Sequence, residues 1–259
     1  MMRIHRKEFF NRLPDVILCD IDNTLYDYSH AHENALKCVM HKIASMFSMG
    51  VHVCLEHYEK ARMDVKNRLY GTASSHSRLL YFQSMFESMH LGTQVLFSLE
   101  CETMYWRVFL NHAVLFEGVE EWLDDMRMMG IPVVAVTDMQ AHIQCKKMVY
   151  WNIDSFFDHM VTSEECGADK PDSRIFKRAL EKLQLPKNPC VWMVGDDILK
   201  DMEGSKEVLG AVAVQKRHEG VVEGIAAKTP DACFDCFEDL RRWFLSQREK
   251  HGRFQAKAQ

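Results

Sequence analysis

Proline and glycine are scarce, at 6 and 12 residues in a chain of 259. That excludes collagen-like repeats and low-complexity linkers. Long hydrophobic runs are missing as well. None approaches the ~20 residues that span a bilayer, so no membrane segment is expected. The run Val16–Cys19 is too short for the core of a signal peptide, and Asp15 and Asp20 flank it. An excess of one charge is also lacking: 37 acidic residues face 32 basic ones, for a net charge of −5. Such a balance does not draw in nucleic acid phosphates, so no nucleic acid partner is expected. The nine cysteines are odd in number and show no framework spacing, which points to reduced thiols and a cytoplasmic setting. Cys233 and Cys236 form a lone C-x-x-C without the second pair that a structural metal site needs.

What is present is an ordinary globular composition, 47% hydrophobic and 27% charged. The length suggests one large domain or two unequal ones. Five short apolar runs read as buried strands: Val16–Cys19, Ile131–Val136, Met160–Thr162, Val191–Val194 and Ala211–Val214. They carry little polar alternation, as strands covered on both faces do. Helical patterns separate the later runs, over Val119–Met129, Ile143–Trp151, Ser173–Leu183 and Lys200–Leu209. This alternation predicts an α/β fold, a Rossmann-like parallel-sheet core with right-handed crossovers.

The stretch from His30 to His112 differs. Leu36, Val39, Met40, Ile43, Met46 and Phe47 recur at three and four, and Leu79–Met89 and Val95–Leu110 repeat the habit. Four helices are expected, with turns at Gly71–Ser75 and Leu91–Thr93. Residues 29–112 are therefore assigned to an inserted all-α cap, and 1–28 with 113–259 to the catalytic core. Many of the 17 methionines lie in or near this insert and read as adaptable core packing. The basic N-terminal residues Arg3, His5, Arg6, Lys7 and Arg12 read as a solvated helix face. A closing helix is expected around Leu240, Trp243 and Phe244, with a frayed tail from Gln247.

Four signals carry chemistry. The first strand ends in Asp20-Ile21-Asp22-Asn23-Thr24. Alternation puts Asp20 and Asp22 on one side of an extended segment, where two close carboxylates shift a pKa or hold a cation. The next strand ends in Thr137-Asp138, whose hydroxyl and backbone N–H groups suit an anion. Lys170 precedes Pro171 at a helix entry. Gly195-Asp196-Asp197, with Asp201 following, ends another buried strand and offers hard oxygens suited to Mg2+. All four fall in order at strand ends, the place where open α/β sheets bind ligands.

This constellation resembles the haloacid dehalogenase-like superfamily of phosphohydrolases. Phe156-Phe157-Asp158, Ser163-Glu164-Glu165, Lys170-Pro171 and Ile175-Phe176 are similar to the same branch. The likeness covers about residues 12–28 and 115–235. It implies that Asp20 is the nucleophile that forms an aspartyl phosphate. It implies that Asp22 is the general acid and then the base, a role that asks for a raised pKa. Thr137, Asp138 and Lys170 would bind the phosphoryl group. Asp20, the backbone carbonyl of Asp22 and Asp196 would hold Mg2+, with Asp197 and Asp201 completing or orienting that shell. Dehalogenating relatives lack the second Asp, so Asp22 favours phosphoryl transfer. The segment 138–169 holds one helix, one strand and loops, which leaves the cap in the earlier insert. Such a cap suits a small phosphate ester. The string Asp20–Tyr26 also resembles pyrimidine nucleotidases, so nucleoside monophosphates stand beside sugar phosphates. Cap residues Arg62, Lys66, Arg68, Arg78, His30 and His32 are candidates for substrate contacts. Two alternatives stay open, a phosphomutase using the same aspartyl phosphate and a binding protein with an idle site.

Overall fold

Strand-forming runs and helical insert both take shape in the computed structural model, which describes residues 2–222, 224 and 230–257, with side chains as far as 248. After β1 (Arg3–Ile4) and β2 (Val16–Cys19) come four helices, α1 (Tyr28–Phe47), α2 (Val51–Arg68), α3 (Arg78–Ser88) and α4 (Val95–His112). The chain then alternates through α5 (Val119–Met128), β3 (Val133–Thr137), α6 (Ala141–Tyr150), β4 (His159–Thr162), α7 (Ser163–Cys166) and α8 (Ser173–Glu181). It closes with β5 (Val191–Gly195), α9 (Gly204–Leu209), β6 (Val212–Lys216), β7 (Ala232–Phe234) and α10 (Phe237–Lys257). One sheet holds the strands in the order β1-β7-β6-β5-β2-β3-β4. All neighbours run parallel except β1, which pairs antiparallel with β7.

The lack of polar alternation in β2, β3 and β5 has its counterpart in complete burial of these strands. Successive side chains of β2 serve opposite faces. Val16 and Leu18 join Ile175, Phe176 and Ala179 of α8 in one apolar cluster. Ile17 and Cys19 join Trp122 of α5 and Phe237, Leu240 and Phe244 of α10 in the other. That second cluster runs on without a break into the inserted helices, through Val39, Tyr58, Phe82 and Phe109. Within the insert α1 packs on α4 and α2 on α3. Asp27 caps α1 by accepting from the His30 N–H at 3.2 Å, and Ser77 caps α3.

Three local readings differ. The basic N-terminus is a short strand and a 3-10 turn at Lys7–Phe10 rather than a helix face, because Arg3 and Ile4 pair with distant β7. The helix expected from Lys200 begins as a π-helical turn at Ile198–Glu203, with Asp197 accepting from the N–H groups of Leu199 and Lys200. The backbone of α10 runs through the tail expected to fray. Among the described residues no single helix is long and apolar enough to cross a membrane.

Candidate active site

Adjacent parallel strands bring their C-terminal ends together, and β5, β2 and β3 are adjacent. Their ends deliver Asp196, Asp20 and Thr137 to one cavity of about 280 Å³. Asp22, Asp138, Lys170, Asp197 and Asp201 line the same cavity, so every residue singled out from the sequence as catalytic, phosphate-binding or metal-supporting meets there.

Asp20 is 5% exposed. Its Oδ1 accepts from Lys170 Nζ at 2.6 Å and its Oδ2 from Thr24 Oγ1 at 2.9 Å, which fixes the rotamer. Lys170 also donates to Asp201 Oδ1 at 2.7 Å and to the Val136 carbonyl at 3.0 Å. Two buried carboxylates thus share one ammonium. Burial raises the pKa of Asp20 despite Lys170, and the charge of Asp201 adds to the rise. Asp196 is raised by burial and by Asp20, and Asp201 by burial against the pull of Lys170. Carboxylate oxygens of Asp20, Asp196 and Asp201 lie within 4.8 Å of one another. Hard oxygen donors in mutual repulsion fit Mg2+, so the donor chemistry suits the expected ion. Asn23 Nδ2 donates to Asp196 Oδ2 at 2.7 Å and steadies it.

Asp197 and Asp201 differ in what their carboxylates face. Asp197 turns its carboxylate to the π-helical turn, accepting from the Leu199 and Lys200 N–H groups at 2.8 and 2.9 Å. Asp201 lies against the other acids, and its Oδ2 accepts from the Asp197 N–H at 3.1 Å. Gly195 permits that approach, since a Cβ there would stand 2.4 Å from Asp201 Oδ2.

Thr137 is fully buried, and its Oγ1 accepts from Gln144 Nε2 at 2.7 Å. The carboxylate of Asp138 is committed to the protein. It accepts from the Lys170 N–H at 2.8 Å, from Ser163 at 3.2 Å and from Lys200 Nζ at 2.8 Å. Any anion contact from Asp138 therefore comes from its backbone.

Asp22 departs from the sequence reading. Its role asked for a raised pKa, and the structure holds it low. Burial pushes the carboxyl up, but the Lys147 ammonium and hydrogen bonds from Lys147, Tyr26 and Gln144 outweigh it. Lys147 and Tyr26 both bond Asp22 Oδ1, and Gln144 Nε2 donates to Oδ2 at 2.7 Å. Lys147 is itself fully buried and lies over the rings of Tyr26, Trp106 and Phe109, with Nζ 5.5–5.7 Å from their centroids. Met139 Sδ, 3.8 Å away, closes the shell around it. Met139 holds a left-handed backbone with φ of 104°, a strained conformation of the kind found near functional sites.

Sequence reasoning missed Lys147, Gln144 and Tyr26. Gln144 and Lys147 sit three apart on α6, the spacing of one helix face. That spacing was legible, but Lys147 beside Lys146 reads as solvated until the fold brings it to Asp22 beneath Trp106 and Phe109 of α4. His76 was also missed as a cap-to-core contact: its Nε2 lies 3.0 Å from Asp169 Oδ2. Gln140 Nε2 donates to the Ala73 carbonyl at 2.9 Å beside it.

Comparison with known proteins follows the same direction. Residues 14–208 match the family model described as haloacid dehalogenase-like hydrolase. The chain is 30% identical over 194 residues to a ribulose-1,5-bisphosphate 5-phosphatase of Halopiger xanaduensis, across 74% of this chain and 80% of that protein. It is 28% identical over 201 residues to a glyceraldehyde 3-phosphate phosphatase of Methanopyrus kandleri, across 78% and 83% respectively. A magnesium-bound HAD-hydrolase of Bacillus subtilis shares the fold with a TM-score of 0.66 at 16% identity, over 89% of this chain and 98% of the other. A 2-haloacid dehalogenase of Pseudomonas syringae does so at 0.69 and 18% identity, over 91% and 100%.

Proposed function

This chain belongs to the haloacid dehalogenase-like hydrolases, and from that premise we propose that it is a Mg2+-dependent phosphatase of small soluble phosphomonoesters, sugar phosphates above all. The observation that carries the reading is the buried Asp20 carboxylate, held at a strand end by Lys170 and Thr24 beside Asp196 and Asp22. Its relatives are named as phosphatases of ribulose bisphosphate and glyceraldehyde phosphate, which favours sugar phosphates over nucleotides.

Asp20 attacks the phosphorus, and the bond to the leaving oxygen breaks as the aspartyl phosphate forms. An acyl phosphate is readily hydrolysed, so one hard step becomes two easier ones. Lys170 offsets charge on Asp20 and on the phosphoryl oxygens, and Thr137 with nearby backbone N–H groups orients them. Mg2+ held by Asp20, Asp196 and the Asp22 carbonyl would add further charge neutralisation on those oxygens, with Asp201 supporting the set.

Asp22, kept ionised by Lys147, is ready to take a proton from the water that attacks the aspartyl phosphate. To donate a proton to the leaving oxygen it must first gain one. The arriving phosphoryl group, a neighbouring negative charge, raises its pKa in that direction. Residues 29–112 act as the cap that excludes water over the core of 1–28 and 113–259.

The test is Asp20→Asn. Turnover of p-nitrophenyl phosphate with Mg2+ falls more than about a thousand-fold while circular dichroism is unchanged. Retained turnover in that variant rules the mechanism out.

A further inference from the structure

The cavity is polarised. Its floor carries the acids of the strand ends, whereas the inserted helices contribute Tyr28, Ser29, Arg62, Lys66, His76 and Arg78, none of them acidic. Arg78 is 6% exposed. Its Nη1 donates to the His76 carbonyl at 2.7 Å and its Nη2 to the Tyr28 hydroxyl, while its Nε is buried with no hydrogen-bond partner among the described residues. No carboxylate pairs with Arg78 or with Lys66 among the described residues, although Arg62 pairs with Glu59 at 2.9 Å. The rings of Tyr81, Tyr105 and Trp106, 5.2–5.4 Å from its Cζ, offset part of the cost of burying this guanidinium, and an arriving anion would supply the missing counter-charge. Two neighbouring groups register the same field. Burial and the cations Arg62, Arg78 and Lys200 lower Lys66 to about 8. Burial with Arg78, Arg62 and Lys66 lowers His32 to about 3.

The reacting phosphoryl group has Lys170 at the floor, and Mg2+ held by the acids there would offset its remaining charge. On that reading the cations of the roof are left for another part of the substrate. Resting on the phosphatase reading above, we propose that Arg78 and Lys66 form a subsite for a second anionic group at the far end of the substrate. The substrates would then be phosphomonoesters that carry a second phosphate or a carboxylate. Arg78, pinned by His76 and Tyr28, supplies a preorganised charge, and the more exposed Lys66 reaches the same group from α2.

Initial rates of the Mg2+-loaded enzyme on matched pairs test this. Ribulose bisphosphate is compared with ribulose monophosphate for a second phosphate, and phosphoglycerate with glycerol phosphate for a carboxylate. At least one doubly anionic member is expected to show a kcat/KM about 30-fold or more above its partner, a preference worth one good charge-assisted contact. The arm that shows the preference identifies the anion. Lys66→Met and Arg78→Met are expected to bring the ratio down about ten-fold, chiefly through KM. Lys66 is half-buried on a helix surface, so its variant keeps the test valid if Arg78→Met fails to fold. Equal rates within both pairs, or a preference that survives Lys66→Met unchanged, overturn the subsite while p-nitrophenyl phosphate turnover keeps the phosphatase reading intact. No phosphate release from any ester, p-nitrophenyl phosphate included, overturns both.

Discussion

Lys147 shows how one side chain can govern another's chemistry. It reaches Asp22 from α6 through a sleeve of Tyr26, Trp106 and Phe109, with no water-facing route of its own. Its own pKa is lowered by burial, partly restored by Asp22. Lys147→Met fills the same apolar sleeve but leaves Asp22 without its cation, and burial then raises the Asp22 pKa. Activity that needs ionised Asp22 is present above that pKa and lost below it. The low-pH limb of kcat therefore moves to higher pH, and kcat at neutral pH falls about a hundred-fold. A pH–rate profile of the variant, with circular dichroism as the folding control, measures both. A limb that stays in place shows Lys147 to be packing alone. The placement of Asp20 is legible from sequence because a strand end is a local feature. The partnership of Lys147 with Asp22 is not, since it joins α6 to a residue 125 positions away.

At the scale of elements, the turn after β5 holds the acids in place. Asp197 is the N-cap of the π-helical turn Ile198–Glu203, and its own N–H donates to Asp201. The apolar periodicity after Lys200 announced a helix, but it could not announce the π turn. That turn arises where capping by Asp197, the close approach of Asp201 to Gly195 and the packing of Gly204 against Pro171 meet. Asp197→Ala removes the cap and costs about 1 kcal/mol of stability. It also loosens the backbone that orients Asp201, so the concentration of Mg2+ giving half-maximal rate rises severalfold. Urea unfolding and a Mg2+ titration of the rate test the two parts separately. An unaltered Mg2+ response would mean that Lys170 and the backbone N–H at position 197 suffice to position Asp201.

The molecule as a whole carries its acidity unevenly. Without a bound metal, Asp20 and Asp196 are pushed up to about 7 and Asp201 to about 6, from an ordinary 3.8, chiefly by burial. A carboxyl with a raised folded pKa binds its proton more tightly folded than unfolded. Its contribution to stability is complete below the ordinary 3.8 and is lost progressively as pH rises from there through 6 to 7. The midpoint temperature of the chelated protein is therefore expected to fall between about pH 4 and pH 7. Saturating Mg2+ raises it by about 5 °C or more near pH 8, by mass action on the ionised site. Differential scanning calorimetry with and without chelator reads this directly. A chelated protein whose midpoint is flat across that range would show that Lys170 already neutralises the cluster.

The sequence by itself determined the α/β alternation, the helical insert and the row of acids at strand ends, because each rests on neighbours in the chain. Apolar runs define buried strands, three-and-four spacing defines the inserted helices, and Asp or Gly marks where a strand stops. Tertiary structure alone decided which charges compensate one another. It set Lys147 on Asp22, turned Asp197 to the π-helical turn and Asp201 toward the other acids, and left Arg78 buried with no carboxylate opposite among the described residues. Pairing β1 with β7 was likewise its decision. Electrostatic partnership depends on distance through space and on the water removed between groups, and neither is written in the order of residues.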